Sequence, residues 1–473
     1  MRDYHTADVI RAAEAPLLAT MPEGTLMRRA AYGLAVVIAA ELRRRTGGVG
    51  GRCVCAVVGS GDNGGDALWA ATYLRRRGAA ASAILLSPER THVAALAAFR
   101  NAGGRVVHTV PATTDLVIDG VVGISGSGPL RRPADQIFGS VASAGVPVVA
   151  VDTPSGVDVH TGAITGPAVR PVLTVTFGGL KPVHALADCG RVEVVDIGLD
   201  LPCSDVMSFE ASDVRARWPV PGRGDDKYSQ GVTGIAAGSA GYPGAAILAT
   251  GAAVAATSGM KRYAGAVAAV PVPPSPEAVA AADPTEAGRV QAWVVGPGSG
   301  TDDCALETLR FALDTDLPVV VDADALTLLA AHPELVERRE AQTVLTPHAG
   351  EFARLAGEPP GDDRVAAARA LAARFGATVL LKGNVTVVAE PDGRVFLNRS
   401  EGSWAATAGS GDVLSGIIGA LLATGLPPVE AAAAAAFVHS RAAEASAADP
   451  GPALVPTSAA RILAHIRPAL ASL

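Results

Sequence analysis

The stretch from Ala408 to Gly416, Ala-Gly-Ser-Gly-Asp-Val-Leu-Ser-Gly, combines small residues with one carboxylate, Asp412. It precedes an apolar run at 417–422 that is typical of a helix. Small residues let the backbone approach a ligand closely, and the unpaired amides at a helix start attract anions. A carboxylate in the first turn could therefore accept a proton from a substrate hydroxyl while those amides hold a phosphate under transfer. The alternative is that Asp412 only caps the helix.

Acidic and glycine-rich turns also follow predicted strands in the N-terminal half. The apolar run at 53–58 predicts a buried strand, and residues 59–66, Gly-Ser-Gly-Asp-Asn-Gly-Gly-Asp, connect it to a helix predicted at 67–77. Asp119 follows a strand predicted at 116–118, and the turn Asp-Thr-Pro-Ser-Gly begins at Asp152, after a strand predicted at 146–151. Because open parallel sheets bind ligands at the carboxyl ends of their strands, we expect one pocket here.

A polar, glycine-rich loop lies between Asp119 and the next predicted helix, with the sequence Gly123-Ile124-Ser125-Gly126-Ser127-Gly128-Pro129. It could wrap a phosphate or a ribose, and the alternative is an ordinary crossover connection. Three such turns on one sheet edge favour a pocket.

The C-terminal half repeats this layout with other chemistry. Strands predicted at 293–295 and 319–321 end in Gly-Pro-Gly-Ser-Gly (296–300) and Asp-Ala-Asp (322–324). His348 and Glu351 follow a strand beginning at Val344, and Lys382 with Gly383 ends a strand beginning at Thr378. A lysine before a glycine can offer a charge and bare amides to a phosphate, although a surface lysine is the plainer interpretation. His348 alone is more typical of a structural loop residue than of a catalytic one, but its position among other strand-end motifs reverses that preference.

The remaining pattern predicts an α/β chain of two domains, a Rossmann-like parallel-sheet domain at 1–210 and a second, different α/β domain at 211–473. The pattern breaks near 205–213, and no internal repeat is evident. Further elements are predicted from periodicity: strands at 83–86, 105–108, 172–177 and 191–196; helices at 7–19, 26–45 after a Thr25 cap, 245–258, 429–447 and 458–467, the last ended by Pro468; and a loop at 271–276.

Composition excludes several classes of protein. The 473 residues are 49% hydrophobic and 18% charged, which indicates a well-buried globular chain. A net charge of −7, with no basic run beyond residues 43–45 and 75–77, argues against binding to nucleic acid or an anionic membrane. The five cysteines form no CxxC pair and the N-terminus lacks a signal-peptide pattern, so we expect a cytoplasmic protein without disulfides or structural zinc.

These motifs, in this order along nearly the whole chain, resemble the bifunctional NAD(P)H-hydrate repair enzymes. The resemblance rests on Asp62-Asn-Gly-Gly-Asp66, Asp152-Thr-Pro-Ser-Gly156, Gly296-Pro-Gly298, Thr346-Pro-His-Ala-Gly-Glu351, Lys382-Gly383 and Gly409-Ser-Gly-Asp412-Val-Leu-Ser-Gly416. It implies an N-terminal epimerase domain and a C-terminal, ribokinase-like dehydratase domain.

The family repairs NADH and NADPH whose nicotinamide ring has added water, leaving a hydroxyl at ring carbon six. By resemblance, the N-terminal domain interconverts the R and S hydrates, NADHX and NADPHX. The C-terminal domain phosphorylates the S hydroxyl from ADP, with ATP as the alternative donor, and eliminates phosphate to restore NAD(P)H; with ADP this leaves AMP. The implied cofactors are the nucleotide, Mg²⁺ and K⁺, the partners are these small molecules, and a homo-oligomer is expected.

The resemblance also assigns residues. In the epimerase, Asp62, Asn63, Gly64, Gly65 and Asp66 and the loop from Gly123 to Pro129 would hold the hydrate, Asp152 would be the acid-base group, and Asn63, Asp119 and Ser155 would bind potassium. In the dehydratase, Ala245, Gly298, His348 and Asp412 would bind the hydrate, Asp412 would be catalytic, and Lys382, Gly383, Asn384, Val385, Thr386 and Gly411 would bind the adenine nucleotide.

Some positions depart from the family's pattern, and two other functions are open. The family usually has Asn in place of Asp62 and Gly in place of Ala67, and the segment 398–404 replaces an uncharged turn by one containing Glu401. A ribokinase-like kinase of a vitamin precursor or sugar alcohol would use the same loop, with Asp412 as its base. The N-terminal domain could instead serve a non-catalytic, nucleotide-sensing or protein-binding role.

Overall fold

A computed structural model describes residues 1–124, 126, 128–265 and 275–473 of the chain. Ser125, Ser127 and residues 271–274 of the predicted loop lie outside the described residues. The chain divides into two compact units, Asp3–Ser204 and a second one made of Met1–Arg2 and Asp205–Leu473. None of the helices in the described ranges is long and apolar enough to cross a membrane.

The elements up to residue 204 are an α/β set. The strands are β1 (Arg2–Asp3), β2 (Cys53–Val58), β3 (Ala80–Leu85), β4 (Arg105–Val106), β5 (Leu116–Gly120), β6 (Val148–Val151), β7 (Leu173–Phe177) and β8 (Arg191–Val195). The helices are α1 (Ala7–Thr20), α2 (Thr25–Thr46), α3 (Asp62–Arg76), α4 (Val93–Asn101), α5 (Ala134–Ser143) and α6 (Val183–Leu186). Seven strands form a sheet in the order β4-β3-β2-β5-β6-β7-β8, with neighbours parallel.

Helices cover both faces of this sheet, which explains the continuous apolar run in β2. Alternate residues of a strand point to opposite faces. Val54, Ala56 and Val58 join a core with α2, α3 and α4, while Cys55 and Val57 join a core with α5. A central strand buried on both sides needs apolar residues at every position.

Helix α3 begins at Asp62, five residues before the start predicted from the sequence at Ala67. The glycines at 64 and 65 led to the prediction of a loop, because glycine is a poor helix former. Packing outweighs that preference, since a Cβ at Gly64 would lie 2.3 Å from the carbonyl oxygen of Gly59. The motif from Asp62 to Asp66 therefore forms the first turns of a helix that approaches the end of β2 closely.

The second unit is built around a mixed sheet. Its strands are β9 (Val206–Ser208), β10 (Thr233–Ala236), β11 (Lys261–Ala264), β12 (Ala278–Ala281), β13 (Ala292–Val295), β14 (Val319–Val321), β15 (Thr343–Leu345), β16 (Thr378–Leu381), β17 (Val385–Ala389) and β18 (Val395–Arg399). Its helices are α7 (Ala211–Arg217), α8 (Pro243–Ala256), α9 (Asp303–Leu313), α10 (Asp324–Ala331), α11 (Glu334–Glu337), α12 (Ala349–Ala356), α13 (Arg364–Phe375), α14 (Ser410–Ala423), α15 (Pro428–Ala448) and α16 (Ala459–Ala471).

The strand order of the second sheet is β1-β9-β18-β17-β16-β15-β14-β13-β10-β11-β12. Strands β10 to β16 pair in parallel, so their carboxyl ends meet at one edge, while β17 is antiparallel to both neighbours. Helices α8, α14, α15 and α16 pack on one face in a single core with Val294 and Val320. The small side chains of α8 and α15 let these helices pack closely.

Three details differ from the sequence predictions. Gly24, not Thr25, is the N-cap of α2. Helix α16 continues past Pro468 to Ala471, because Ala469 is buried and packs in the core, and one lost backbone hydrogen bond near a helix end does not outweigh that packing. Residues 205–210 belong to the second unit, since β9 pairs with β18 there, so the break falls just before the predicted junction at 210.

Candidate active sites

A buried ion pair stands at the end of β6. The Nζ atom of Lys181 lies 2.5 Å from Oδ1 of Asp152, and both side chains are about 5% exposed or less. The hydroxyl of Thr176 donates to the same carboxylate oxygen at 2.9 Å. Asp152 has φ +67°, a conformation that costs a non-glycine residue about 1–3 kcal/mol. Such strain persists where the surroundings fix it, as they do at functional sites.

His184 of α6 holds the backbone of Asp152. Its Nδ1 accepts from the amide of Lys181 at 2.9 Å, so its Nε2 donates to the carbonyl oxygen of Asp152 at 2.8 Å. Burial, reinforced by the charge of Lys181, lowers the pKa of His184 to about 4, so the ring is neutral. A neutral histidine thus ties the lysine and the aspartate into one rigid group.

Most of the residues expected to hold a hydrate line two adjoining cavities. The first, of about 350 Å³, is lined by Asp62, Asn63, Asp66, Gly123, Ile124, Asp152 and Lys181, among others. The second, of about 390 Å³, shares Gly123 and is lined by Gly126, Gly128, Pro129 and Thr153. Gly64 and Gly65 are buried inside α3 and do not line the first cavity. Ser125 and Ser127 lie outside the described residues.

The first cavity is strongly acidic. Asp66 is buried, and its Oδ1 has no hydrogen-bond partner within the described part of the chain. Burial first, and then the charges of Asp152, Asp62 and Glu14, raise the pKa of Asp66 well above its ordinary value. In its protonated form, Asp66 can donate a hydrogen bond to a ligand.

The residues expected to bind potassium are linked by hydrogen bonds. Asp119 accepts from the hydroxyl of Ser155 at 2.7 Å and from its amide at 2.9 Å. The backbone of Val122 connects them to Asn63, because its amide donates to the Ser155 hydroxyl and its carbonyl accepts from Nδ2 of Asn63. Burial raises the pKa of Asp119 to about 6. The three predicted ligands therefore lie close together at the sheet edge.

In the second unit, Asp412 lies in the first turn of α14, whose N-cap is Gly409. The N-cap is a glycine, and within the described residues the Asp412 side chain accepts no hydrogen bond from a backbone amide, so the capping interpretation of Asp412 is wrong. Asp412 lines a cavity of about 570 Å³ with Tyr242, Ala245, Gly298 and Asp324, among others. Gly298 has φ +61°, a backbone conformation that favours glycine. A Cβ at this position would also lie only 2.7 Å from the Cβ of Ala245, so a larger residue would crowd the wall of this cavity.

Asp412 stands in a carboxylate-rich environment beside one lysine. Burial, with the charge of Asp322 adding to it and that of Lys382 opposing it, raises the pKa of Asp412 to about 6. Lys382 pairs with Asp322 at 2.6 Å, and the hydroxyl of Ser415 donates to the other oxygen of Asp322. Burial alone would lower the pKa of Lys382, but Asp322, Glu351 and Asp412 raise it. Lys382 is therefore a permanent cation next to the helix start.

A buried histidine fixes the start of α14. His439 of α15 lies 3.0 Å from the hydroxyl of Ser410, and burial lowers the pKa of His439 to about 4. Next to Ser410, Gly411 lies against Lys382, since a Cβ on Gly411 would be 3.3 Å from its Nζ. The loop, the helix amides and the lysine thus converge on one point, as an anion site requires.

The other predicted residues are more scattered. His348 does not line the cavity of Asp412; its Nδ1 caps α12 by accepting from the amides of Gly350 and Glu351. Gly383, Asn384, Val385 and Thr386 follow Lys382 through the turn into β17, where the carbonyl of Asn384 accepts from the amide of Ser400. These four residues therefore lie directly after Lys382, and their role in binding a nucleotide stays a prediction.

Sequence reasoning missed several of these groups. No role was assigned to Lys181, Thr176 and His184 around Asp152, or to Ser415 and His439 around Asp412. Asp322 was noted only as part of the turn at 322–324. One signal was available: Lys181 and Lys382 are two of only four lysines in the chain, and both follow predicted strand ends.

Comparison with known proteins fits this pair of sites. A family model described as NAD(P)H-hydrate dehydratase matches residues 233–465, and one described as YjeF-related protein N-terminus matches residues 23–183. The bifunctional NAD(P)H-hydrate repair enzyme Nnr of Mycobacterium leprae is 71% identical over 473 residues, which is 100% of both chains. That of Mycobacterium tuberculosis is 72% identical over the same span. That of Corynebacterium glutamicum is 37% identical, covering 89% of this chain and 87% of its own.

One similar solved structure is the ADP/ATP-dependent NAD(P)H-hydrate dehydratase of Bacillus subtilis co-crystallised with ATP/Mg²⁺. It is 30% identical, covers 56% of this chain and 98% of its own, and has a TM-score of 0.49.

The first α/β unit has a buried ion pair beside a cavity, and the second has a carboxylate in the first turn of a helix beside another cavity. This arrangement is that of an enzyme with two sites. Full-length identity of 71–72% to named relatives then specifies which one. The chain belongs to the family of bifunctional NAD(P)H-hydrate repair enzymes.

Proposed function

We propose that this protein repairs hydrated NADH and NADPH, interconverting the R and S hydrates in the first unit and dehydrating the S hydrate with ADP in the second. The observation that carries the proposal is the placement of Asp412, in an uncapped first helical turn beside Lys382 and a cavity. Incubating the pure protein with mixed hydrate epimers and ADP, and following reduced-nicotinamide absorbance, tests it directly. Absorbance that does not rise with ADP would contradict it.

In the second unit, Asp412 takes the proton of the C6 hydroxyl as that oxygen bonds to the terminal phosphorus of ADP and AMP leaves. The α14 amides and Lys382 stabilise the charge on the transferred group. The C6–O bond then breaks, and phosphate departs as a C5 proton is lost. The C5=C6 double bond of NAD(P)H is thereby restored.

The residues around Lys382 fit a nucleotide that carries Mg²⁺. Asp322 and Glu351 are acidic oxygen donors whose charges reach Lys382. Mg²⁺ binds through one or two carboxylates together with substrate phosphates. We propose that it neutralises phosphate charge when the nucleotide is bound, while Lys382 and the helix start hold the group in transfer.

In the first unit, Asp152 exchanges protons with the hydrate while Lys181 fixes and balances its charge. A C6 carbon bearing both a hydroxyl and the ring nitrogen is a hemiaminal. Removing the hydroxyl proton and protonating N1 breaks the N1–C6 bond, leaving an aldehyde and a secondary amine. Reclosure on the other face of the carbonyl gives the other epimer. Only proton transfers are needed, and two buried, hydrogen-bonded groups can provide them.

We propose that potassium binds at Asn63, Asp119 and Ser155. Asp119 is fully buried, yet within the described residues it forms no ion pair, and neutral hydrogen bonds alone compensate its charge. A buried carboxylate of this kind suits a cation with oxygen ligands, and the set contains no thiolate or imidazole. The cation would order the turns that follow β5 and β6.

The potassium proposal predicts that Asp119→Asn weakens K⁺ binding and thereby slows epimerisation at a fixed K⁺ concentration. The change preserves side-chain size and removes the charge, so we expect the half-maximal K⁺ concentration to rise at least tenfold. Epimer exchange rates measured across a K⁺ series check this. Asp135→Asn, in the first turn of α5, is the matched control and should behave as wild type. A wild-type rate that does not depend on K⁺ would refute the site.

A second prediction concerns the division of labour between the two units. A fragment of residues 1–204 should interconvert the epimers without nucleotide, and a fragment beginning at residue 205 should consume only the S hydrate with ADP. The cut falls before β9, which pairs with β18 and belongs with the second sheet. Chromatography of the epimers over time measures both activities. If the C-terminal fragment cleared both epimers faster than they interconvert spontaneously, no epimerase would be needed.

The proposed function also bears on where the protein is located in the cell. NADH and NADPH hydrates arise where these cofactors are used, so we propose a cytoplasmic location. The homo-oligomeric state remains a prediction, which sedimentation of the full chain would measure.

A further inference from the structure

Helix α1 brings a third group to the cavity that holds Asp152. Ile10 and Glu14 both line it, and they lie four residues apart, on one face of the helix. Ile10 is almost fully buried, which anchors that face of α1. Glu14 also lines an adjoining cavity of about 680 Å³ with Trp69 and His92. Its carboxyl therefore stands where a ligand of the Asp152 cavity can reach it.

Glu14 and Asp152 differ in whether their carboxyl groups have a charged partner. Asp152 is bound by the Lys181 ammonium at 2.5 Å, whereas Glu14 forms no hydrogen bond or ion pair within the described ranges of the chain. Burial raises the pKa of Glu14, Lys181 and Arg11 oppose the rise, and Asp152 and Asp62 add to it. Asp66 is the remaining acid coupled to Glu14. Two carboxyl groups whose environments differ in this way are typical of an acid and a base that work together.

Epimerisation at C6 needs proton exchange on both faces of the ring. The hydroxyl that opens lies on one face, and the hydroxyl that forms on reclosure lies on the other. One carboxyl accepts the proton of the first hydroxyl, and another donates a proton to the new alkoxide. The carboxyl that accepts the first hydroxyl's proton passes it to N1 on opening and takes it back on closing. The substrate protons then balance, and one carboxyl is left protonated and the other ionised. Proton exchange between the two carboxyls through water restores the starting state of the enzyme.

We propose that Glu14 is a second catalytic carboxyl of the epimerase, serving the ring face opposite the one served by Asp152. The inference rests on the proposed epimerase function. It adds the residue that exchanges a proton with the hydroxyl on the second face of the ring. The two groups come from separate elements, α1 and the end of β6, so they can contact different sides of a bound ring.

The test uses the full-length protein with Glu14→Gln, and Glu23→Gln as the matched control. Glu23 is an exposed carboxyl that lines only the adjoining cavity. Epimer exchange is followed by chromatography of separated R and S hydrates, after subtraction of the spontaneous rate. ADP-dependent dehydration of pure S hydrate, carried out by the other unit, reports on the integrity of each preparation.

For Glu14→Gln we expect kcat for epimerisation to fall by about 10²–10⁴-fold, the usual range for an acid-base group, with KM within about threefold. One limb of the bell-shaped pH profile should disappear, and Glu14→Asp should recover part of the rate. A structural role would not remove a limb of the profile. Glu23→Gln should match wild type.

Two results would overturn the inference: a Glu14→Gln rate within about threefold of wild type, or a loss confined to KM. Either leaves the epimerase proposal intact if wild type still exchanges the epimers. Absence of exchange in wild type would instead contradict the proposed function itself.

Discussion

Asp412→Asn should abolish nucleotide-dependent repair while leaving the fold and hydrate binding in place. The amide matches the carboxylate in shape but cannot accept the hydroxyl proton, and loss of a general base costs about 10²–10⁴-fold in rate. The side chain is not a helix cap, so its charge has no capping role to lose. Reduced-nicotinamide absorbance with S hydrate and ADP measures the loss, and binding of the hydrate to the inactive variant measures what remains.

Asp303→Asn is the matched control for this variant. Asp303 also lies in the first turn of a helix, α9, but at an exposed position. The Asp303→Asn substitution removes the same charge from an equivalent helical position but does not alter the cavity. The repair rate of this variant should therefore stay near that of wild type. Near-wild-type repair by Asp412→Asn would mean that Asp412 is not the base.

The pH dependence of the wild-type enzyme gives an independent check. Burial raises the pKa of Asp412 to about 6, and a base works only when deprotonated. The dehydration rate should therefore be full well above pH 6, half-maximal near pH 6, and lower still at more acidic pH. A rate that stayed constant down to pH 5 would show that no group with this pKa limits the reaction.

Much of the candidate chemistry was predictable because parallel sheets bring strand ends together. Three residues that are far apart in sequence, Asp152, Asp119 and Asn63, lie at strand ends of one sheet. Asn63 donates to the carbonyl oxygen at the end of β6 and lines one cavity with Asp152, and Asp119 is hydrogen-bonded to the turn that follows β6. In the second unit the same rule placed Lys382 at a strand end, and the structure sets Gly411, the residue before Asp412, against it. Strand-end position is a strong signal because it depends only on topology.

What could not be predicted depends on side-chain packing and strand register. Lys382 can pair with Asp322 only because β14, β15 and β16 are neighbours in that order in the sheet and the two side chains point towards each other. Glu14 shows the same limit, since periodicity gives a helix at α1 but not which cavity its face covers. In α3, glycines that usually break helices are kept because β2 approaches so closely.

The largest effect in the first unit is expected from its buried ion pair. Asp152→Asn should lose epimerisation by at least 10²-fold, because the amide cannot exchange protons with the hydrate. Asn is the suitable replacement, since it tolerates the left-handed backbone that Asp152 adopts at φ +67°. Dehydration of pure S hydrate should be unchanged, and K⁺ should still bind, because Asp119 and Ser155 are untouched.

Stability must be separated from chemistry here, since Asp152→Asn leaves the Lys181 ammonium buried without its counter-charge. Breaking a buried pair from one side costs about 3–5 kcal/mol, whereas replacing both partners is often close to neutral. Asp152→Asn and Lys181→Met should therefore each lower the unfolding free energy, measured by denaturant titration, and the double variant should recover most of it. Epimerisation should stay lost in all three proteins. If the double variant recovered activity along with stability, the pair would have only a structural role.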